Sequence, residues 1–248
     1  MSVTSLSWAP YAAALEGLSL PPDFFPRVES YLSALATLNQ SLNLISFSTE
    51  EELCGHVVDA LQALHPLLTL RTLRVLSSSS PLRLIDVGTG GGLPGVPLAI
   101  ARPLWSVTLL DSLRKKQVAV AGLLETAQIK NGNALWGRAE DLGRQAEHRE
   151  VYDGALCRAV GRLTTVLELT LPFVKIGGAV YLHRGFEGRD ELAESARALK
   201  ELGGQPGPVF SYRLPGLDKE RRILCVEKTH QTSIAFPRRA GIPAKKPL

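Results

Sequence analysis

Long apolar runs are missing from this chain. No stretch approaches the roughly 18 uninterrupted apolar residues of a membrane span, so a membrane partner is not expected. Residues 1–10 lack the basic-then-apolar layout of a secretory leader, and the chain is expected to work in the cytoplasm. Cysteine is scarce. Cys54, Cys157 and Cys225 are odd in number, widely spaced and set among apolar residues, which argues against a disulfide framework or thiolate metal site and for buried free thiols. The five histidines show no ligand spacing, so no metal is expected. Charge is not strongly one-sided either. A net charge of +4 is a mild bias toward polyanionic partners. No coiled coil or evident unpaired apolar helix argues for a dimer, and a monomer is expected.

What is present changes character along the chain. Residues 1–76 read as a helical region. Phe24, Phe25, Val28, Tyr31, Leu32, Leu35 and Leu38 recur at three- and four-residue steps, which makes one apolar helix face. Asp23 stands where an N-cap would. A second helix is predicted over 49–64, with Glu50, Glu51 and Glu52 in its first turn, where the helix dipole favours negative charge, and Pro66 as its breaker. Ser77 to Ser80 form a polar hinge, which places a domain boundary between 1–76 and 77–248.

Past the hinge, short apolar runs at 82–87, 106–110, 152–160 and 178–183 read as strands. Helical patterns at 96–102, 113–126, 163–173 and 190–202 lie between them. That alternation predicts an α/β fold, a parallel, doubly wound Rossmann-like sheet. Runs at 208–214 and 222–228 are joined by a short loop with Pro215 and Gly216. So short a link suits an antiparallel pair and gives the sheet one reversed strand. A parallel sheet closed in this way is the class I methyltransferase architecture, here preceded by a small helical region.

The glycine-rich segment Asp86-Val87-Gly88-Thr89-Gly90-Gly91-Gly92-Leu93-Pro94-Gly95 follows the first predicted strand, where glycines let the backbone turn sharply and approach a ligand. Two registers fit. Gly90, Gly92 and Gly95 satisfy G-x-G-x-x-G, with Asp111 downstream at the distance for a ribose hydroxyl, which is the fingerprint of a nicotinamide enzyme. Asp86, Gly88 and Gly90 satisfy acid-x-Gly-x-Gly, which sets a carboxylate at the strand tip. Such a carboxylate repels a pyrophosphate but suits S-adenosylmethionine (SAM), which carries an ammonium, a sulfonium and no phosphate; charge favours this second register. Asp111 at the end of the second strand has acceptors for paired ribose hydroxyls. Glu140 follows the third strand and is placed for an adenine amine. Arg158 follows the fourth and is placed for the methionyl carboxylate or the substrate. All four fall at strand carboxyl ends, where ligands bind in open α/β sheets. His56 and Asp59, three apart on one helix face, read as a packed hydrogen-bonded pair.

The chain resembles the RsmG (GidB) family of bacterial 16S rRNA N7-guanine methyltransferases. The likeness rests on Asn43-Leu44-Ile45, His56-Val57-Val58-Asp59, the segment from Asp86 to Ile100, Asp111-Ser112-Leu113, Arg138-Ala139-Glu140, Tyr152-Asp153 and Arg158-Ala159-Val160. It ends on Pro237-Arg238-Arg239-Ala240-Gly241-Ile242-Pro243-Ala244-Lys245-Lys246-Pro247-Leu248. The resemblance implies SAM as cofactor, contacted by Gly88, Leu93, Asp111, Ser112, Leu113, Ala139, Glu140 and Arg158, to which the acid-x-Gly-x-Gly reading adds Asp86 and Gly90. It implies as target a guanine in the 530-loop region of 16S rRNA, near the decoding centre. The chain departs from the family at Leu38, Gly55, Leu93 and Arg184, where Trp, a basic residue, Phe and Lys are usual.

Guanine N7 has a free lone pair, so direct in-line transfer needs no general base, in keeping with the lack of an obvious His/Asp dyad or nucleophilic cysteine. Arg184, Arg221, Arg222, Arg238, Arg239, Lys245 and Lys246 are candidate RNA contacts, and the tail at about 236–248 reads as a basic arm that orders on RNA. The expected partner is 16S rRNA or the small ribosomal subunit, not DNA. Three alternatives stay open: a nicotinamide-dependent oxidoreductase, a non-catalytic SAM-binding RNA module, and a small-molecule methyltransferase, which leaves the basic tail unexplained.

Overall fold

The computed structural model describes residues 6–73, 81–158, 161–185, 191–216 and 219–248. The serine hinge at 77–80, with the boundary placed there, lies outside them, as do Ala159, Val160 and Asp190. Four helices come first: α1 (Ala12–Leu15), α2 (Phe24–Leu42), α3 (Glu50–Leu61) and α4 (Leu64–Leu73). Then follow β1 (Arg83–Val87), α5 (Gly95–Ala101), β2 (Ser106–Asp111), α6 (Arg114–Thr126), β3 (Gly132–Trp136), α7 (Ala139–Leu142), β4 (Tyr152–Arg158) and α8 (Leu163–Thr170). The chain continues through β5 (Val174–Gly185), α9 (Glu191–Glu194), α10 (Ala196–Leu202), β6 (Gly204–Tyr212), β7 (Arg221–Lys228) and α11 (Ile242–Lys245).

Two details of the helical region differ from the sequence-based expectation. Asp23 precedes α2 but makes no side-chain cap. Its backbone is not extended, and its carboxylate sits 3.6 Å from Arg27 instead. Pro66 does not end α3, which stops at Leu61. It lies in the first turn of α4, where a missing N–H costs nothing because that donor has no partner within the helix. The start of α3 is capped by side chains that the sequence reading did not name as caps. The Thr49 hydroxyl accepts from Glu52 N at 3.2 Å, and the Glu52 carboxylate accepts from Ser48 N. The predicted helix at 190–202 is divided into α9 and α10.

Among the described residues seven strands form one sheet in the order β3-β2-β1-β4-β5-β7-β6. The first five pair in parallel, and β7 is antiparallel to both β5 and β6, which makes it the reversed strand. Alternate residues feed opposite faces, as the two-residue period of a strand requires. Leu84, Leu156, Tyr181 and Cys225 join one buried cluster, while Ile85, Ala155, Val180 and Leu224 join the other. Both faces are therefore covered by helices. Phe24, Tyr31, Leu32 and Leu35 of α2, with Leu53, Val57 and Leu61 of α3, are packed into the first cluster together with α5 and α6. Arg27 adds hydrogen bonds to the carbonyls of Ala127 and Gln128 at 3.3 and 2.7 Å. The helical region thus shares its core with the sheet.

The C-terminal segment is docked, not a free arm. Arg144 and Arg149, on the turns after α7, donate to the carbonyls of Ile234, Ala235 and Pro237 and of Thr232, Ser233 and Phe236. Arg238 closes a bidentate pair on Glu168, whose side chain is fully buried, at 2.6 to 3.1 Å. Ordering on RNA is not needed, because buried carboxylates and arginine–carbonyl bonds already offset the chain entropy. Replacing Arg238 by Ala strands the Glu168 carboxylate without its cation. The expected loss is about 2–3 kcal/mol in urea unfolding, less than for a wholly buried pair because Arg238 is partly exposed. Adding Glu168→Gln to that variant restores part of the loss.

Candidate active site

The glycine loop is shaped by carboxylates at the tips of two strands. Asp86, the penultimate residue of β1, is fully buried. Its Oδ2 accepts from the Thr89 hydroxyl at 2.7 Å and from Gly95 N at 2.9 Å, which joins the two ends of the loop. A Cβ on Gly95 would collide with the side chains of Leu109 and Asp86, so this glycine serves helix–strand packing. Burial pushes the Asp86 carboxyl up to about 6, with the Thr89 and Gly95 hydrogen bonds pulling the other way. Its Oδ1 is buried without a hydrogen-bond partner among the described residues. Asp111, at the end of β2, accepts from Gly90 N at 3.1 Å on Oδ2 and from Leu113 N at 2.9 Å on Oδ1. Gly90 has φ +59°, a left-handed conformation that L side chains rarely adopt.

Above these strand ends lies a cavity of about 930 Å³. The glycine loop contributes Gly88, Gly90 and Leu93 to its lining, and the turn after β2 contributes Asp111, Ser112 and Leu113. Ala139 and Glu140 come from the start of α7, and Arg158 from the end of β4. Nine of the ten residues expected from sequence at a cofactor site are thus gathered on one cavity. Asp86 is not among its lining residues. It sits beneath the loop and shapes it from below. Glu140 is nearly buried, and its Oε1 accepts from Arg138 and from the backbone N of Gly241, both at 2.8 Å. Burial alone would raise this carboxyl, but those two bonds outweigh it and hold Glu140 below the usual range. The tail therefore reaches the site, and Ala244 and Pro247 complete the wall.

Arg158 is held from outside the sheet. Its Nη1 donates to Asp59 Oδ2 at 3.2 Å and approaches His56 Nδ1 at 3.4 Å. Asp59 Oδ1 accepts from Tyr212 at 2.7 Å and from Arg221 at 3.3 Å, and its carbonyl accepts from His183 Nε2 at 3.1 Å. Burial pushes Asp59 up, but His183, Arg158, Arg221 and the Tyr212 hydroxyl together hold it below its ordinary value. His56 Nε2 lies 2.9 Å from the Ser46 carbonyl, and burial followed by the Arg158 charge lowers its pKa. The sequence paired His56 with Asp59; in the fold both meet through Arg158. Tyr212 and His183 were not singled out as site residues, because no local spacing ties β6 or β5 to α3; Arg138 was quoted only for the family resemblance, although its partner Glu140 is two residues on.

The candidate RNA-contact residues divide. Arg184 is engaged by Glu191 and the Gly161 carbonyl, Arg238 by Glu168, and Arg221 by Asp59. Arg222 is partly buried on β7, while Arg239, Lys245 and Lys246 are exposed.

The family model for rRNA small subunit methyltransferase G matches residues 25–216. The chain belongs to that family. A ribosomal RNA small subunit methyltransferase G from Moorella thermoacetica is 37% identical over 94% of this chain and 93% of its own length. One from Gloeobacter violaceus is 41% identical over 85% and 80%. Among solved structures, a provisionally assigned sarcosine dimethylglycine methyltransferase from Galdieria sulphuraria covers 80% of this chain and 99% of its own, with TM-score 0.52 and 12% identity. At that identity the likeness speaks for the fold alone, the class I methyltransferase architecture that the strand order also describes. Among the described residues no helix is long and apolar enough to cross a membrane.

Two glycine substitutions should part in sign. Gly95→Ala is expected to destabilise by roughly 1–3 kcal/mol in urea melts, because Leu109 and Asp86 must move. Gly122→Ala, mid-helix in α6 with nothing within 4 Å of its Cβ, should gain up to about 1 kcal/mol.

Proposed function

We propose that the chain methylates N7 of a guanine in small-subunit rRNA, in the 530-loop region near the decoding centre, with SAM as methyl donor. The observation that carries this reading is the joint placement of Asp111, Glu140 and Arg158 with the glycine loop on one cavity, in a member of the rRNA small subunit methyltransferase G family. The donor set fits a phosphate-free cationic cofactor. Three carboxylates stand on or beneath the cavity floor, and one of them keeps an unpartnered buried oxygen. Asp111 retains lone pairs beyond its two backbone bonds and would hold the ribose hydroxyls. Glu140 would accept from the adenine amine, and Arg158 would hold the methionyl carboxylate. The cofactor supplies an electrophilic methyl on a sulfonium.

The chain's residues act by position. His56 lines the cavity, yet its Nε2–H is turned to the Ser46 carbonyl and its Nδ1 faces Arg158, so it has no lone pair to spare for a proton. Cys157 also lines the cavity, and burial pushes its thiol well above the ordinary value. Neither acts as a base, and guanine N7 needs none. Holding N7, methyl and sulfur in line contributes up to roughly 7–11 kcal/mol. Carboxylates beside the cavity stabilise the positive charge that moves onto the base. N7 is hidden in the deep groove of an RNA helix, so the target enters unpaired or flipped out. Exposed Arg239, Lys245 and Lys246 supply phosphate contacts.

The deciding experiment offers labelled SAM with naked 16S rRNA, intact small subunits and large-subunit rRNA, and maps the product by borohydride/aniline cleavage. The expected result is one cleavage site, in small-subunit rRNA, absent with Arg158→Ala. SAM binding without transfer to any of the three sinks the reaction and favours a non-catalytic module.

Asp86 adds a pH signature. A cation bound above it favours the ionised carboxylate, so calorimetric cofactor affinity should rise with pH through about 6 and level off near 7. Asp86→Asn should flatten the profile. The stability linkage of the ligand-free protein has the opposite sign. The fold retains a proton that the unfolded chain releases near pH 4, so this group's contribution is full below about 4 and is lost as pH rises through about 6.

A further inference from the structure

The strand order sets a direction along the cavity. Glu140 follows β3, Asp111 ends β2, the glycine loop follows β1 and Arg158 ends β4. With ribose at Asp111 and adenine at Glu140, the reactive end of the cofactor lies toward β4. There the cavity abuts a second one of about 320 Å³, and the two share Ser46, His56 and Arg221 in their walls. The second cavity is built by parts that do not belong to the cofactor half of the sheet: the first turn of α3 with Thr49, Glu51 and Glu52, and the Pro215–Gly216 turn after β6. At the low end of the roughly 300–1,000 Å³ range of small-ligand pockets, it has the size for one base.

Its lining combines carboxylates with a guanidinium, which complements one base edge. The Watson–Crick edge of guanine shows two neighbouring N–H donors, N1 and N2, beside the O6 acceptor. A carboxylate accepts both donors, and an arginine donates to O6. Adenine shows no such donor pair. N7 sits on the five-membered ring, away from N1 and N2, so a guanine whose edge enters the second cavity keeps N7 on the cofactor side. A flipped base is commonly read along that edge.

In the wall of the second cavity, Asp59 is nearly buried and binds Arg158 through one oxygen and Arg221 through the other. One carboxylate thus ties the arginine of the cofactor cavity to the arginine on the boundary. We propose that the second cavity is the pocket for the target guanine, with Glu51 and Arg221 reading its Watson–Crick edge and Asp59 positioning Arg221. The assignment rests on the N7-guanine reaction proposed above.

Steady-state methyl transfer to the wild type's own RNA substrate, paired with calorimetry of S-adenosylhomocysteine, tests it. Arg221→Gln and Glu51→Gln should each lower kcat/KM for RNA at least ten-fold and leave S-adenosylhomocysteine affinity within three-fold. Asp59→Asn also releases Arg158, so it should lower kcat/KM for RNA and S-adenosylhomocysteine affinity together, and its loss in RNA turnover should be less than additive with Arg221→Gln, since Arg221 acts from Asp59. Thermal melts identify a variant that fails to fold, and Arg221→Gln and Glu51→Gln, at partly or wholly exposed side chains, then carry the test alone. If both variants keep kcat/KM for RNA within two-fold, or lose S-adenosylhomocysteine binding in parallel with RNA turnover, the pocket assignment is overturned while the reaction stands. A wild type that transfers no methyl overturns the reaction itself.

Discussion

A carboxylate without access to water is normally a liability, and this fold places one at the tip of its first strand. Asp86 ties Thr89 to Gly95 through a single oxygen and thereby sets the two ends of the glycine loop. Asp111, one strand over, takes the N–H of Gly90 in the middle of the same loop. The cavity floor, the entry of α5 and the exposure of the loop backbone all follow from these bonds. Burying Asp86 destabilises its ionised form. That is tolerable at a site whose ligand brings positive charge, since the ligand then restores what burial removed.

A second buried carboxylate does comparable work at the other end. Asp59 lies on α3, outside the sheet, and yet it holds Arg158 from β4, Arg221 from β7 and Tyr212 from β6. The helical region is thereby part of the site as well as part of the core. The C-terminal segment enters from the opposite side, where Gly241 N binds Glu140 and Pro247 lines the wall. The proposed cofactor half belongs to the sheet, while both appended regions close it.

The sequence was informative wherever a local pattern carries the physics. Strand-end acids, a glycine run and β/α alternation put the crevice where it stands, because in a parallel sheet the carboxyl ends of strands share one edge. It was silent on pairing where charge alone was read. Arg184 and Arg238 were read as phosphate contacts, and in the fold each is engaged by a carboxylate, Glu191 seven residues on and Glu168 seventy residues back. Asp86 was read as a ligand-facing acid; in the fold it is fully buried beneath the loop, bonded to Thr89 and Gly95 of that same loop.

The β/α alternation along the chain determined the fold class by itself, and the longer motifs, above all the glycine loop running on into Pro94-Gly95 and the segment from Pro237 to Leu248, carried the resemblance to the family. These depend on periodicity and on backbone freedom at fixed positions, both written along the chain. Only tertiary structure decided which charges are free to meet a ligand. Ion pairing depends on distance and desolvation, and the partners of Arg158, Arg221 and Arg238 stand 99, 162 and 70 residues away.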